Sequence, residues 1–164
     1  MITKKLFTII CLFLFMGGLT YSQSFKYIGA PKCKMCHNKP TKGEQYNKWF
    51  EGPHANSMKS LSAEEAKDPK CLKCHSTAAS IEAKEKGGIN IKEGVSCEAC
   101  HGPGSMYKSP ALMKNRKAAM AKGLIVPDEA LCRKCHNEES PTFKGFNYEE
   151  YLAKIAHPDP TLKK

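Results

Sequence analysis

Residues 94–105 read GVSCEACHGPGS, with Cys97 and Cys100 three apart and His101 directly after. The same five-residue pattern recurs as CKMCH (Cys33, Cys36, His37), CLKCH (Cys71, Cys74, His75) and CRKCH (Cys132, Cys135, His136). On one turn of helix, positions i, i+3 and i+4 share a face. Each copy therefore presents two thiols and an imidazole together.

Cys-x-x-Cys-His is the attachment signature of c-type haem. The two thiols reach the vinyl groups of one porphyrin, and the imidazole reaches its iron as proximal ligand. The eight cysteines thus attach four haems, with His37, His75, His101 and His136 as proximal ligands. Zinc ribbons use Cys-x-x-Cys pairs but give no reason for a histidine after each pair. A disulfide framework seldom confines its cysteines to such close pairs. A thioredoxin-like redox site needs one such motif, not four.

The first residues read as a leader. Lys4 and Lys5 precede an apolar run from Leu6 to Leu19, and TYSQS follows. This is the layout of a secretory signal peptide, and the run is too short to span a bilayer comfortably. We expect residues 1–22 to be removed, Cys11 with them. The remaining 23–164 form one tetrahaem domain, exported to the periplasm or an equivalent compartment and without an integral membrane segment.

The formal net charge is +10, two units of it from Lys4 and Lys5. That balance alone suggests nucleic acid or an anionic membrane. Each haem brings two propionates, however, and four haems offset most of the charge, so nucleic acid is set aside as a partner. Mean hydropathy is −0.48 and aromatic residues make up only 9% of the chain. The polypeptide alone offers a thin core, so the porphyrins must complete it. The haem-free chain is expected to be largely unfolded.

The fold class is mainly α with extensive loops, organised around four covalently bound haems. The motif histidines are unevenly spaced, which excludes a regular solenoid. A helix is expected in TKGEQYNKWFEG with Tyr46, Trp49 and Phe50 on one side, stopped at Gly52-Pro53. Ser62 and Glu65 form a capping box at SAEEAKD. IEAKEKGG ends a helix at its glycine pair. KSPALMKNRKAAMAKGL reads as one helix from Ser109-Pro110. DEALCRKCHN carries the fourth motif on a helix capped by Asp128. NYEEYLAKIAHP is the last helix, with Asn147 as cap and Glu150 completing a box. HGPGS is loop, where Gly102 and Gly104 permit positive φ. No strand run is evident.

Each iron also needs a distal ligand or stays open. Only His54 and His157 lie outside the motifs, so at most two haems are bis-histidine within one chain. Met113 is the best methionine candidate, with Met106 behind it. A methionine ligand raises the reduction potential relative to histidine. The shortfall also permits self-association, with one molecule's histidine ligating the next molecule's haem.

YIGAPKCKMCH, WFEGPHANSM, GVSCEACHGPGS and CHNEESPTFKGFNYEEYLAKIAHP together resemble the cytochrome c-554 family of tetrahaem cytochromes. The resemblance implies an all-helical fold with haems stacked in close pairs, and a periplasmic electron carrier. It also implies three bis-histidine haems and one five-coordinate haem. His54 and His157 match distal positions. The family's third distal histidine has no counterpart between His101 and His136, which places the weight on Met113. The haem on Cys71, Cys74 and His75 is the expected open one, with Ser140–Phe143 over it.

Two functions follow. The first is electron transfer between redox proteins through closely stacked haems. The second is an enzyme acting on nitric oxide, hydroxylamine or nitrite at a five-coordinate haem, for which Tyr107, Glu138 and Glu139 are conceivable proton donors. The electron carrier is preferred, because it needs only ligands, burial and spacing.

Overall fold

The computed structural model describes residues 24–161. The expected leader and Cys11 lie outside them. Among the described residues the secondary structure is short helices and 3-10 turns; the sole β feature is an isolated parallel bridge between Tyr27 and Lys86.

Helix α1 (Ala30–His37) carries the first motif and has Pro31 in its first turn, where a missing N–H costs nothing. Helix α2 (Gln45–Glu51) is entered through Gly43 and Glu44, both left-handed, and stops at Gly52. Its Tyr46, Trp49 and Phe50 rings cluster, with Tyr46 stacked on Phe50 at 5.9 Å. Helix α3 (Pro69–His75) carries the second motif. Its cap, Asp68, accepts from Lys70 N at 2.8 Å. Helix α4 (Thr77–Ser80) follows at once, and α5 (Cys97–His101) carries the third motif. Then come α6 (Pro110–Met113), α7 (Arg116–Met120), α8 (Glu129–Cys132) and α9 (Tyr148–Ile155).

Several expected boundaries shift for identifiable reasons. The stretch from Ser109 is two helices. Asn115 breaks it by accepting from Ala118 N at 3.0 Å, since a short amide competes with the helix for backbone donors and caps a new one. Asp128 caps α8 as expected, at 2.9 Å to Leu131 N, but the helix ends at Cys132. The rest of the fourth motif is a turn in which His136 N still donates to Cys132 O at 3.0 Å. IEAKEKGG forms only a 3-10 turn, Ala83–Glu85, closed by a Glu82/Glu85 box. The Ser62/Glu65 box is present, at 2.8 and 3.2 Å, yet starts one 3-10 turn rather than a long helix. Asn147 caps α9, but Glu150 completes no box; it pairs instead with Lys154 at 2.7 Å. Gly102 has φ 75°, whereas Gly104 does not need positive φ. A Cβ on Gly104 would meet Ile28 Cδ1 at 3.0 Å and Glu98 Oε1 at 3.1 Å, so it is kept small by a close approach.

The apolar interior is thin. Among the described residues only Ala30, Ala78, Tyr107 and Ala119 are buried hydrophobics. Hydrogen bonds do much of the joining. Segment 26–30 crosses between the first and third motifs, with Lys26 N on Ser105 Oγ at 2.9 Å and Tyr27 N on Glu85 O at 2.8 Å. Helix α1 packs against α2 and α5, α3 against α4, and α6 against α7.

Candidate haem centres

The eight motif cysteines are free thiols. Thiols from different motifs meet in pairs. Cys33 lies beside Cys97, linking the first and third motifs. Cys74 lies beside Cys135, linking the second and fourth. Cys100 and Cys132 are close enough to interact, linking the third and fourth. Burial pushes Cys100 up to about 11, and burial with Cys74 beside it pushes Cys135 up to about 12. Among the described residues no three His, Cys, Asp or Glu side chains converge on one point as a metal cage would require. The cysteine pairs therefore do not assemble a zinc set.

The histidines are arranged differently. The rings of His54 and His136 lie 6.1 Å apart, centroid to centroid, and so do those of His101 and His157. Two imidazoles bound to opposite sides of one metal ion, at N–metal bonds of about 2.0–2.1 Å, have centroids roughly 6 Å apart. Each of these pairs joins a motif histidine to one of the two spare histidines.

Backbone carbonyls set the imidazole tautomers. His75 Nδ1 lies 2.9 Å from Ser57 O, His157 Nδ1 2.8 Å from Ile155 O, and His101 Nδ1 3.4 Å from Ile125 O. A carbonyl only accepts, so each Nδ1 carries the proton and Nε2 keeps the lone pair an iron needs. Burial lowers the affinity of His54 for a proton, and His136 opposite adds to the effect. Burial also lowers His101, with His157 adding, and lowers His136. Burial lowers His37 too, against the nearby Asp159 carboxylate. Neutral imidazoles are the ligating form.

His54 is positioned by its backbone. Its carbonyl accepts from Ser57 N at 3.2 Å and from Val95 N at 3.0 Å. The partner loop turns at Gly94, φ 63°, where a Cβ would lie 2.7 Å from His54 O and 2.6 Å from Ser57 Oγ. Ser57 also donates to His75 O at 2.8 Å. His136 rests on Phe146, stacked at 4.8 Å, with Tyr151 edge-on at 5.9 Å.

The frame behind the first and third motifs rests on two carboxylates that the sequence did not single out. Glu98, 1% exposed, accepts from Ile28 N at 2.9 Å, Gly29 N at 2.8 Å and Gly104 N at 2.6 Å. Glu93 accepts from Ala30 N at 2.7 Å, Asn90 N at 3.0 Å and Ser96 Oγ at 2.9 Å. A buried carboxylate is tolerated when charge-assisted hydrogen bonds replace its water. Glu98 is the only acid at an x position of any of the four motifs, and that was the available signal.

Met113 ends α6, 37% exposed. Tyr107 donates to His101 O at 3.0 Å and Gly102 O at 2.9 Å, which commits its hydroxyl to structure. Glu139 pairs with Lys73 of the second motif. That contact draws the segment after the fourth motif toward the second, and Phe143 lines hollows of about 410 and 230 Å³ beside it.

The donor set fits covalent haem: four Cys-x-x-Cys-His turns, imidazoles whose Nδ1 faces a backbone carbonyl, and two histidine pairs at iron-spanning distance. Comparison with known proteins agrees. The family described as "Cytochrome c554 and c-prime" matches residues 32–102, which include the first three motifs and His54. The chain is 28% identical over 168 residues to cytochrome c-554 of Nitrosomonas europaea, covering 82% of this chain and 68% of that protein. No solved structure matches. Among the described residues no helix is long and apolar enough to cross a membrane. The chain is thus similar to the cytochrome c-554 family, a likeness that supports a c-type cytochrome with covalently bound haem and iron.

Proposed function

We propose that residues 23–164 bind four haems and pass electrons between redox proteins in the periplasm, after residues 1–22 have directed export. Cys33 and Cys36, Cys71 and Cys74, Cys97 and Cys100, and Cys132 and Cys135 are the attachment pairs. His37, His75, His101 and His136 are the proximal ligands. When bound, each haem supplies an iron that takes up and releases one electron.

The observation that carries this reading is the two histidine pairs at 6.1 Å. They support His54 as distal partner to the fourth motif and His157 to the third. His37 and His75 are then left without an imidazole partner, and Met113 is the candidate donor to one of them. The thiol contacts order the motifs as first–third–fourth–second. Neighbouring attachment edges bring the first and third, and the second and fourth, into close pairs.

The chain's residues hold this order fixed. Glu98 and Glu93 tie segment 28–30 to the third motif, which keeps the first motif beside it. Gly94 admits the backbone contact that holds His54. The carbonyls on Nδ1 stop the imidazoles from rotating and raise their basicity, which favours the oxidised iron. A potentiometric titration of the holoprotein should take up four electrons over a spread of potentials. An uptake of fewer than four contradicts the proposal.

A further inference from the structure

Between Glu98 and Asp128 the chain carries no acidic residue but five basic ones: Lys108, Lys114, Arg116, Lys117 and Lys122. Lys108, Lys114, Arg116 and Lys117 are exposed, and among the described residues no carboxylate pairs with any of them. Elsewhere Lys42, Lys73, Lys84, Arg133 and Lys154 each hold a carboxylate, whereas Lys26, Lys32, Lys34 and Lys39 around the first motif are exposed and, like the hairpin cations, pair with none among the described residues. The two acids that flank the stretch are occupied, Glu98 by three backbone donors and Asp128 by the cap of α8. The α6–α7 hairpin is thus a face of uncompensated positive charge.

This face is also close to an iron ligand. The segment leaving α7 places Ile125 N on His101 O at 2.9 Å and Ile125 O against His101 Nδ1 at 3.4 Å. Apolar side chains lie among the charges, with Met120, Ile125 and Val126 all between 42% and 49% exposed. Long-range charge brings a partner in and orients it, while a modest apolar contact lets it leave quickly. That combination suits small, short-lived electron-transfer encounters.

We propose that the α6–α7 hairpin is the docking face for an acidic redox protein, and that the third-motif haem is the point where electrons cross. The proposal rests on the electron-carrier reading and adds to it the surface, the sign of the partner's charge and the haem at the gate. The competing role for these cations is to neutralise the propionates of the chain's own haems.

The test measures electron transfer to the ferric holoprotein from flavodoxin hydroquinone, an acidic protein used as probe, across ionic strengths. Lys114→Glu, Arg116→Glu and Lys117→Glu combined is compared with a control of equal charge change, Lys48→Glu, Lys67→Glu and Lys86→Glu. The wild-type rate should fall steeply with salt. The hairpin variant should be slower by about tenfold or more at low salt and converge with wild type at high salt. The control should stay within about threefold of wild type throughout. Equal rates for the two variants would show that only net charge matters and would overturn the docking face. Shifted haem potentials with an unchanged salt dependence would assign the cations to propionates and overturn it as well. A wild-type holoprotein that the probe does not reduce at all would remove the electron-carrier reading itself.

Discussion

The imidazole rings of His54 and His136 lie with centroids 6.1 Å apart and planes inclined at 63°. One comes from the turn after α2 and the other from the fourth motif, and nothing in the local sequence joins them. Both are held neutral by burial. The spacing suits an iron between them. His54→Ala should therefore leave haem attachment unchanged and convert one low-spin ferric haem to high spin, read by electron paramagnetic resonance. His157→Ala should do the same to a second haem. A spectrum unchanged in either variant contradicts that pairing.

Gly94 makes the first pairing possible. At φ 63°, with His54 O and Ser57 Oγ crowding the position of a Cβ, Gly94→Ala should cost roughly 2 kcal/mol. The damage should be local. Chemical denaturation of the ferric protein would show the loss, and a new high-spin signal would show that His54 had moved.

Some of this was legible in the sequence and some was not. The four motifs were, because covalent haem attachment depends on local spacing alone. The caps at Ser62, Asp128 and Asn147 were, because a cap is a contact over two or three residues. The break at Asn115 was misread, because the stretch has helix propensity on both sides and only the amide's choice of Ala118 N divides it. The pairing of distal and proximal histidines was not legible, since it depends on how α2, the third motif and the C-terminal segment come together. Glu98 was passed over for the same reason: its partners Ile28 and Gly29 lie in another part of the chain.

Glu98→Ala would leave three backbone N–H groups without an acceptor in a buried place. The expected loss is roughly 3 kcal/mol or more. Glu98→Gln keeps one acceptor oxygen and should lose less. The two variants should rank in that order in denaturant midpoint, and equal midpoints would show that these hydrogen bonds are not what joins the first and third motifs.

On the proposed pairing, in which both spare histidines serve the third and fourth motifs, the first and second lack an imidazole. Methionine ligation of one of them gives a far-red thioether–iron charge-transfer band. Met113→Ala should abolish it, and a band that persists reassigns the ligand. The remaining haem should be high spin and should respond to added cyanide or nitric oxide. A wild-type protein with four low-spin haems that ignore both contradicts the ligand count.

The thin interior, with four buried hydrophobic side chains among the described residues, makes haem the scaffold on which the chain condenses. Mass spectrometry of the secreted protein, paired with circular dichroism of the chain produced without haem attachment, tests this most directly. The account predicts a mass carrying four haems on residues 23–164 and a haem-free chain without stable helix. A mass showing any other number of haems, or a compact helical protein without colour, would contradict it.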